Sequence, residues 1–204
     1  MELKYCYWYF KKALSDKICD EILAYGKSKT EEKAIVGRDD KPKVAQKDLS
    51  KIRKSNIVWL NDDWIYNEIH PFVRTANQNA GWNFQWDWSE SCQFTKYKKG
   101  QFYDWHRDCW EEPYNRPGTA FHGKIRKLSM TILLNDPKEY TGGQLEFAQG
   151  VGGKPVKDTI IKCKEANSKG SIIVFPSFVR HRVMPVTKGI RYSLVVWNIG
   201  NPFI

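Results

Sequence analysis

The sequence predicts a mainly β fold in which N-terminal helices support a double-stranded β-helix, or jelly-roll, core. Between residues 91 and 198, eight short apolar segments alternate with turn residues, a spacing typical of a double-sheet jelly roll. Helical patterns occur only in front of these segments, and no linker separates the two parts. We therefore predict a single domain over residues 1–204, with a helical support region at 1–88 and the jelly-roll core at 89–204.

Composition limits the kind of partner. The 204 residues carry a formal charge of +10, but the basic residues are dispersed in short groups, which favours a solvated surface over a nucleic-acid track. Five cysteines without a CxxC pair indicate a reducing compartment. No apolar run is long enough for a signal peptide or a membrane span. We expect a cytoplasmic protein without a membrane partner; its oligomeric state has no signal in the sequence.

Two helices are predicted in the first third. Ser15 is a typical N-cap for a helix from Asp16 to Tyr25, which Gly26 should end. Residues 27–56 are polar and predict a long loop. A second helix should run from Asp62 or Asp63 towards Ala80, kinked or split by its internal proline.

The jelly-roll strands follow from apolar stretches rich in β-branched and aromatic residues. Glycine and proline turn signals lie between them. The predicted strands are Ser91–Tyr97, Gln101–Trp105, Lys124–Leu134, Gln144–Ala148, Thr159–Cys163, Ser171–Phe175, Val179–Val183 and Ile190–Asn198.

Three residues have the pattern of a metal site. His106 and Asp108 lie two residues apart at the end of a predicted strand, so both side chains should point to the same face. His181, in a later strand, can supply a third ligand. Two histidines and one carboxylate form the facial triad of non-haem iron(II) oxygenases, which leaves three metal positions open for a bidentate ketoacid and dioxygen.

Arg191 is the candidate anion-binding residue. In its strand it shares a face with Ser193, Val195 and Trp197, and its neighbours are largely apolar. A buried guanidinium needs an anionic partner, and its planar fork suits a carboxylate. A structural salt bridge is the alternative, which the strand by itself favours; the metal triad reverses that preference.

Motifs in register across roughly residues 90–200 resemble the Fe(II)/2-oxoglutarate dioxygenases, in the prolyl-4-hydroxylase-like branch that includes the PKHD-type hydroxylases. The resembling segments are Tyr97-x-x-Gly100-x-x-Tyr103-x-Trp105-His106-x-Asp108, Lys127 to Leu134, Asp136 to Leu145, Gly170 to Pro176, His181-Arg182-Val183 and Gly189 to Ser193.

The resemblance implies iron(II), 2-oxoglutarate and dioxygen, with ascorbate as an optional further cofactor. It implies that His106, Asp108 and His181 bind iron and that Arg191 binds the distal carboxylate of 2-oxoglutarate. Three more residues are candidates for the cosubstrate pocket: Tyr97, Thr131 and Ser193. The sequence departs from the branch at Leu133, where oxygen-sensing animal prolyl hydroxylases have a tyrosine, so we expect Arg191 to lack that helper.

The loop at 109–123 is a candidate lid over the metal, with a variable surface loop as the alternative. Within it His122 should be exposed, whereas His70 should cap or pack a helix. The candidate substrate contacts are Trp105, Arg107, Trp110 and Trp197.

The function that the resemblance implies is hydroxylation of a C–H bond, with succinate and carbon dioxide as co-products. The first expectation for the substrate is a prolyl or other residue of a peptide or protein. The alternatives are a free amino acid or other small molecule, or a nucleic-acid base, for which the basic charge is the sole support. A jelly-roll module that binds metal without turnover is the alternative from another class.

Overall fold

Two antiparallel β-sheets make the core of this computed structural model, which describes residues 3–35, 50–148 and 159–203. Within those residues the larger sheet has eight strands and the smaller sheet five, and two further strands form a separate ribbon. The predicted mainly β, jelly-roll architecture is confirmed.

The strands are β1 (Trp8–Phe10), β2 (Glu32–Lys33), β3 (Arg53–Lys54), β4 (Asn56–Leu60), β5 (Trp88–Ser89), β6 (Cys92–Tyr97), β7 (Phe102–His106), β8 (Ile125–Leu133), β9 (Tyr140–Gly142), β10 (Leu145–Ala148), β11 (Ile160–Lys162), β12 (Ile172–Pro176), β13 (Arg180–Val183), β14 (Val186–Gly189) and β15 (Arg191–Gly200). All eight predicted strands are present within two residues of their predicted bounds. The remaining seven were not predicted.

The larger sheet has the strand order β1-β12-β8-β15-β6-β4-β2, and β5 pairs with β15. The smaller sheet has the order β11-β10-β13-β7-β3, and the separate ribbon pairs β14 with β9.

Two of the helices that the structure describes are longer than two turns. The first, α1 (Asp16–Ser28), is capped as predicted by Ser15, whose side chain accepts a hydrogen bond from the Ile18 backbone. The prediction that Gly26 ends this helix is wrong, because the helix continues to Ser28 and Gly26 is buried within it. A β-carbon at Gly26 would lie 2.5 Å from the Phe94 ring, so the glycine lets α1 approach the larger sheet.

The second helix, α2 (Asp63–Asn79), has the predicted extent but is unbroken at Pro71, so the predicted split is wrong. His70 packs as expected, with its ring nitrogen 2.9 Å from the Ser89 hydroxyl. The predicted loop at 27–56 is wrong in part, since it contains β2, β3 and the first residue of β4. Residues 36–49 of that loop lie outside the described residues.

Alternation along β15 divides the core into two layers. Tyr192, Leu194 and Val196 pack with the helices on the outer face of the larger sheet. The opposite face points into the space between the sheets, where it meets a second apolar cluster built around Phe147 and Phe175. Because a strand alternates its side chains, one strand both closes the helical layer and delivers functional groups to the interior.

Candidate metal centre

Two adjacent strands of the smaller sheet and the turn after one of them bring the metal-ligand candidates together. His181 on β13 is paired directly with His106, the last residue of β7. Asp108 follows β7, and its backbone N–H donates to the Ser177 carbonyl. As a result, ligand atoms of His106, Asp108 and His181 all lie within 4.8 Å of one another.

The hydrogen bonds of the two imidazoles fix which nitrogen faces the centre. Nδ1 of His106 donates to the Asp104 carbonyl at 2.7 Å, and Nδ1 of His181 donates to the Val179 carbonyl at 3.0 Å. Each Nε2 therefore keeps its lone pair for a metal. The Nε2 atoms lie 3.6 and 3.5 Å from the two Asp108 carboxylate oxygens. Ligand bonds of about 2.0–2.2 Å allow atoms so spaced to reach one ion.

The electrostatics of the cluster suit a cation. Burial works against ionisation of Asp108, but His181, His106 and Arg126 outweigh it and hold the pKa of this carboxyl well below its usual range. Burial, followed by the neighbouring His106, lowers the pKa of His181 to about 4 although Asp108 opposes the shift. Near neutral pH the centre thus offers an anionic oxygen and a neutral imidazole, both of which are good ligands for a first-row divalent metal.

A narrow cavity of about 40 Å³ runs from this cluster to Arg191. That volume holds roughly three water molecules, so it suits a slender, unbranched ligand. Arg191 is only 3% exposed and donates a hydrogen bond of 3.0 Å to the Ser193 hydroxyl. Thr131 and Tyr97 line the same cavity. The structure therefore brings all four predicted cosubstrate contacts into the lining of the cavity that the metal-ligand candidates also line.

Sequence reasoning missed Tyr140 beside Arg191. Burial raises the pKa of Tyr140, against the opposing effect of the Arg191 charge and of a hydrogen bond from Arg191. Gly143 packs on the same side chain, since a β-carbon there would lie 2.8 Å from Cδ of Arg191. Both residues belong to the Glu139–Gly143 segment, whose glycines gave a turn signal and no functional one. Leu133, by contrast, is buried in β8 and paired with Ser193, outside the residues that line this cavity.

A larger cavity of about 420 Å³ opens on the other side of Asp108. Arg107, Trp110 and Trp197 line it as predicted. Trp105 does not line either cavity; its ring packs instead against the Arg182 guanidinium at 4.5 Å. The structure therefore brings three of the four candidate substrate contacts to the centre.

One wall of the larger cavity is a charged and aromatic cluster that the sequence did not reveal. Arg126 forms two hydrogen bonds of 2.7 and 2.6 Å with Glu90, and its guanidinium lies 3.8 Å from the centre of the Trp197 ring. The Tyr114 hydroxyl also donates to Glu90, at 2.8 Å. Tyr114 belongs to the 109–123 loop, so this buried contact fixes the middle of the candidate lid to the cavity wall. His122 in the same loop is exposed, as predicted.

Comparison with known proteins gives matches of two kinds. The profile of the 2OG-Fe(II) oxygenase superfamily matches residues 92–198, which is more than half of the chain. A PKHD-type hydroxylase of Delftia acidovorans is 35% identical over 107 residues, covering 52% of this chain and 42% of that relative. The chain thus spans less than half the length of this relative.

Solved structures extend the likeness to nearly the whole chain. A prolyl-4-hydroxylase of Pseudomonas putida superposes with a TM-score of 0.65 at 19% identity, over 96% of this chain and 92% of that one. A prolyl hydroxylase of Trichoplax adhaerens, in complex with a hypoxia inducible factor peptide fragment, gives a TM-score of 0.62 at 17% identity, over 96% and 84%. At these identities the likeness establishes a shared fold.

Proposed function

Because the chain belongs to the 2OG-Fe(II) oxygenase superfamily, we propose that it is an iron(II)- and 2-oxoglutarate-dependent dioxygenase that hydroxylates a C–H bond. The observation that carries the proposal is that one narrow cavity is lined both by three ligand residues, whose ligand atoms lie within 4.8 Å of one another, and by a buried arginine. Succinate and carbon dioxide are the expected co-products.

In this proposal Nε2 of His106, Nε2 of His181 and the Asp108 carboxylate hold iron(II). Bound there, the metal supplies the activation of dioxygen that is coupled to decarboxylation of the ketoacid. The protein supplies the geometry: both imidazoles are held by backbone carbonyls, and the carboxylate is already ionised. Preorganised ligands avoid a cost of rearrangement when the metal binds.

Arg191 binds the distal carboxylate of 2-oxoglutarate in this proposal. The narrow cavity excludes water from most of the ligand, so that carboxylate needs a charged partner. The Ser193 hydroxyl already orients the guanidinium, and Thr131 and Tyr97 add polar groups to the same walls. The distance from the metal site to Arg191 then selects the length of the acid.

The substrate proposed for the larger cavity is a residue of a peptide or protein, with proline as the first choice. Support comes from the cavity, whose 420 Å³ can admit a side chain together with part of its backbone, and from the prolyl hydroxylase fold. Tyr103 and Trp197 line both cavities, and their aromatic rings offer apolar surface to a pyrrolidine ring. Among the described residues no helix is both long and apolar enough to cross a membrane.

The test is succinate formation by purified protein supplied with iron(II), 2-oxoglutarate and oxygen, with His181→Ala as the inactive control. We expect turnover by the unaltered protein only, and faster turnover with a hydroxylatable peptide. Mass spectrometry of a peptide library after the reaction should find products heavier by one oxygen atom. Succinate formation that is equal in the His181→Ala variant would contradict the proposed site.

A further inference from the structure

Arg107 lies beside the metal-ligand candidates without a role in holding them. Strict alternation along β7 would turn it away from His106 and Asp108. The strand ends at His106, however, and the side chain of Arg107 lines the larger cavity together with Asp108. Its position next to the reaction centre therefore places a guanidinium where a substrate would pass.

The Nε–H of Arg107 is buried and has no hydrogen-bond acceptor among the residues that the structure describes. The same holds for the indole N–H of Trp197, a residue that is 5% exposed and lines the same cavity. A buried donor without an acceptor costs about 1–3 kcal/mol, and more when it is charged. A ligand with acceptor oxygens in this cavity would satisfy both donors.

The charges around the cavity favour an anionic ligand. Its basic lining residues are Lys33, Arg53, Arg107, Arg116 and Arg126, and its acidic lining residues are Glu32, Glu90 and Asp108. The acidic groups already have partners. Glu90 is held by Arg126, Asp108 faces the two histidines, and Glu32 accepts from the Trp59 indole at 2.8 Å. Among the described residues that line the cavity, five are basic and three are acidic, so positive charge is in excess next to the reaction centre.

We propose, on the premise of the function proposed above, that Arg107 binds a side-chain carboxylate of the substrate, so that the enzyme selects acidic peptides. The planar guanidinium matches a carboxylate, and the pair would be shielded from water by the cavity walls. A nucleic acid is the less suitable anion. It needs several cations in a row along its phosphates, whereas the cations here surround one cavity of about 420 Å³.

The experiment compares peptides that differ at one position. Each is N-acetylated and C-amidated, with a central proline flanked by glutamate, glutamine or lysine, so that only the side chain carries charge. Binding to the metal-loaded, 2-oxoglutarate-bound protein is measured without oxygen by isothermal titration calorimetry, and turnover is measured in air by the gain of one oxygen. We expect the glutamate peptide to be preferred over the glutamine peptide by about tenfold or more, with the difference in KM and not in kcat.

Variants of Arg107 should change this preference in a defined direction. Arg107→Gln should abolish it, and Arg107→Glu should transfer it to the lysine peptide. The ratio between peptides is internal to each variant, so partial loss of metal does not affect it. Arg74→Gln, an exposed arginine on α2, is the matched control and should keep the original preference.

Three results would overturn the assignment. The first is equal binding and turnover of the glutamate and glutamine peptides, and the second is a preference for glutamate that persists in Arg107→Gln. The third is that the protein distinguishes no peptide but binds a single-stranded oligonucleotide, and Arg107→Gln weakens that binding. Failure of the underlying function is distinguishable. Succinate formation without peptide discrimination contradicts only the role of Arg107. Peptide discrimination in binding without succinate contradicts only the proposed catalysis.

Discussion

Replacing Arg191 by alanine should separate binding of 2-oxoglutarate from binding of metal. Arg191 is buried, and its one hydrogen-bonding partner on the same strand is the uncharged Ser193 hydroxyl. The distal carboxylate would therefore lose its charged partner in the variant. The metal-ligand candidates do not contact Arg191 through any hydrogen bond or ion pair among the described residues, so metal content should be unchanged.

The magnitude follows from the burial of the pair. Two unit charges about 4 Å apart attract by about 4 kcal/mol at the effective dielectric constant of about 20 that suits protein sites. Removing one partner of a buried, hydrogen-bonded charge pair costs about 2–5 kcal/mol. That range corresponds to roughly a thirtyfold to several-thousandfold higher requirement for 2-oxoglutarate. Arg191→Lys keeps the charge but loses the fork, so its requirement should lie between those of the wild type and the alanine variant.

The assay is a 2-oxoglutarate titration of succinate formation, with metal content measured on the same samples. A parallel titration with 2-oxopentanoate, which has the same chain length but no distal carboxylate, isolates the charge. Arg191→Ala should lose most of its preference for 2-oxoglutarate over this analogue, whereas Arg74→Ala on the exposed face of α2 should keep it. An unchanged 2-oxoglutarate affinity in Arg191→Ala would refute the reasoning and leave Arg191 with a structural role.

Three further changes test the site and its support. His106→Ala or His181→Ala should lose succinate formation and bind less metal, measured by elemental analysis; full activity in either would remove that residue from the ligand set. Tyr140→Phe should raise the 2-oxoglutarate requirement by roughly tenfold, since a hydrogen bond to a charged group contributes about 1.5 kcal/mol or more. The control Tyr9→Phe, at an exposed tyrosine, should leave the requirement unchanged. Equal effects of the two substitutions would refute a role for the Tyr140 hydroxyl. Gly26→Ala should lower the free energy of unfolding, measured by urea denaturation, by about 1–3 kcal/mol, because the new β-carbon would meet the Phe94 ring. This loss should exceed the gain from the better helix propensity of alanine. Equal or higher stability would show that α1 can move away from the sheet.

The sequence predicted the elements whose pattern is local. The long strands of the jelly roll alternate or run apolar over several residues, and β15 separated its functional and core faces as expected. The short strands β2 and β3 were not predictable in this way. Each has only two residues and is defined by its backbone pairing with a longer strand, β4 for β2 and β7 for β3. The role of Gly26 also depends on a residue remote in sequence. A glycine near a helix end is usually a cap, but Gly26 lies within α1 and leaves room for the Phe94 ring of β6.

The metal-ligand candidates and Arg191 could be found from the sequence because they lie in or next to regular strands, where the spacing of residues predicts which side chains share a face. The residues around them could not. Glu90 lies in a loop, Arg126 near the start of β8 and Tyr114 in the candidate lid, so the three meet only in the folded protein. Charge pairs of this kind have no spacing rule in sequence.

Leu133 marks a position where the tyrosine near the arginine comes from a different strand than in oxygen-sensing animal prolyl hydroxylases. The sequence implied that Arg191 lacks a tyrosine partner, because the strand position that carries one in oxygen-sensing animal prolyl hydroxylases is occupied by Leu133. The structure instead places a tyrosine from β9, Tyr140, close enough to the same guanidinium for its pKa to be affected. The contact depends on Gly143, whose missing side chain leaves room for the arginine stem. A substitution at Gly143 should therefore disturb Arg191 more than its distance from the metal-ligand candidates suggests, because its β-carbon would displace the side chain that we propose to bind the cosubstrate carboxylate.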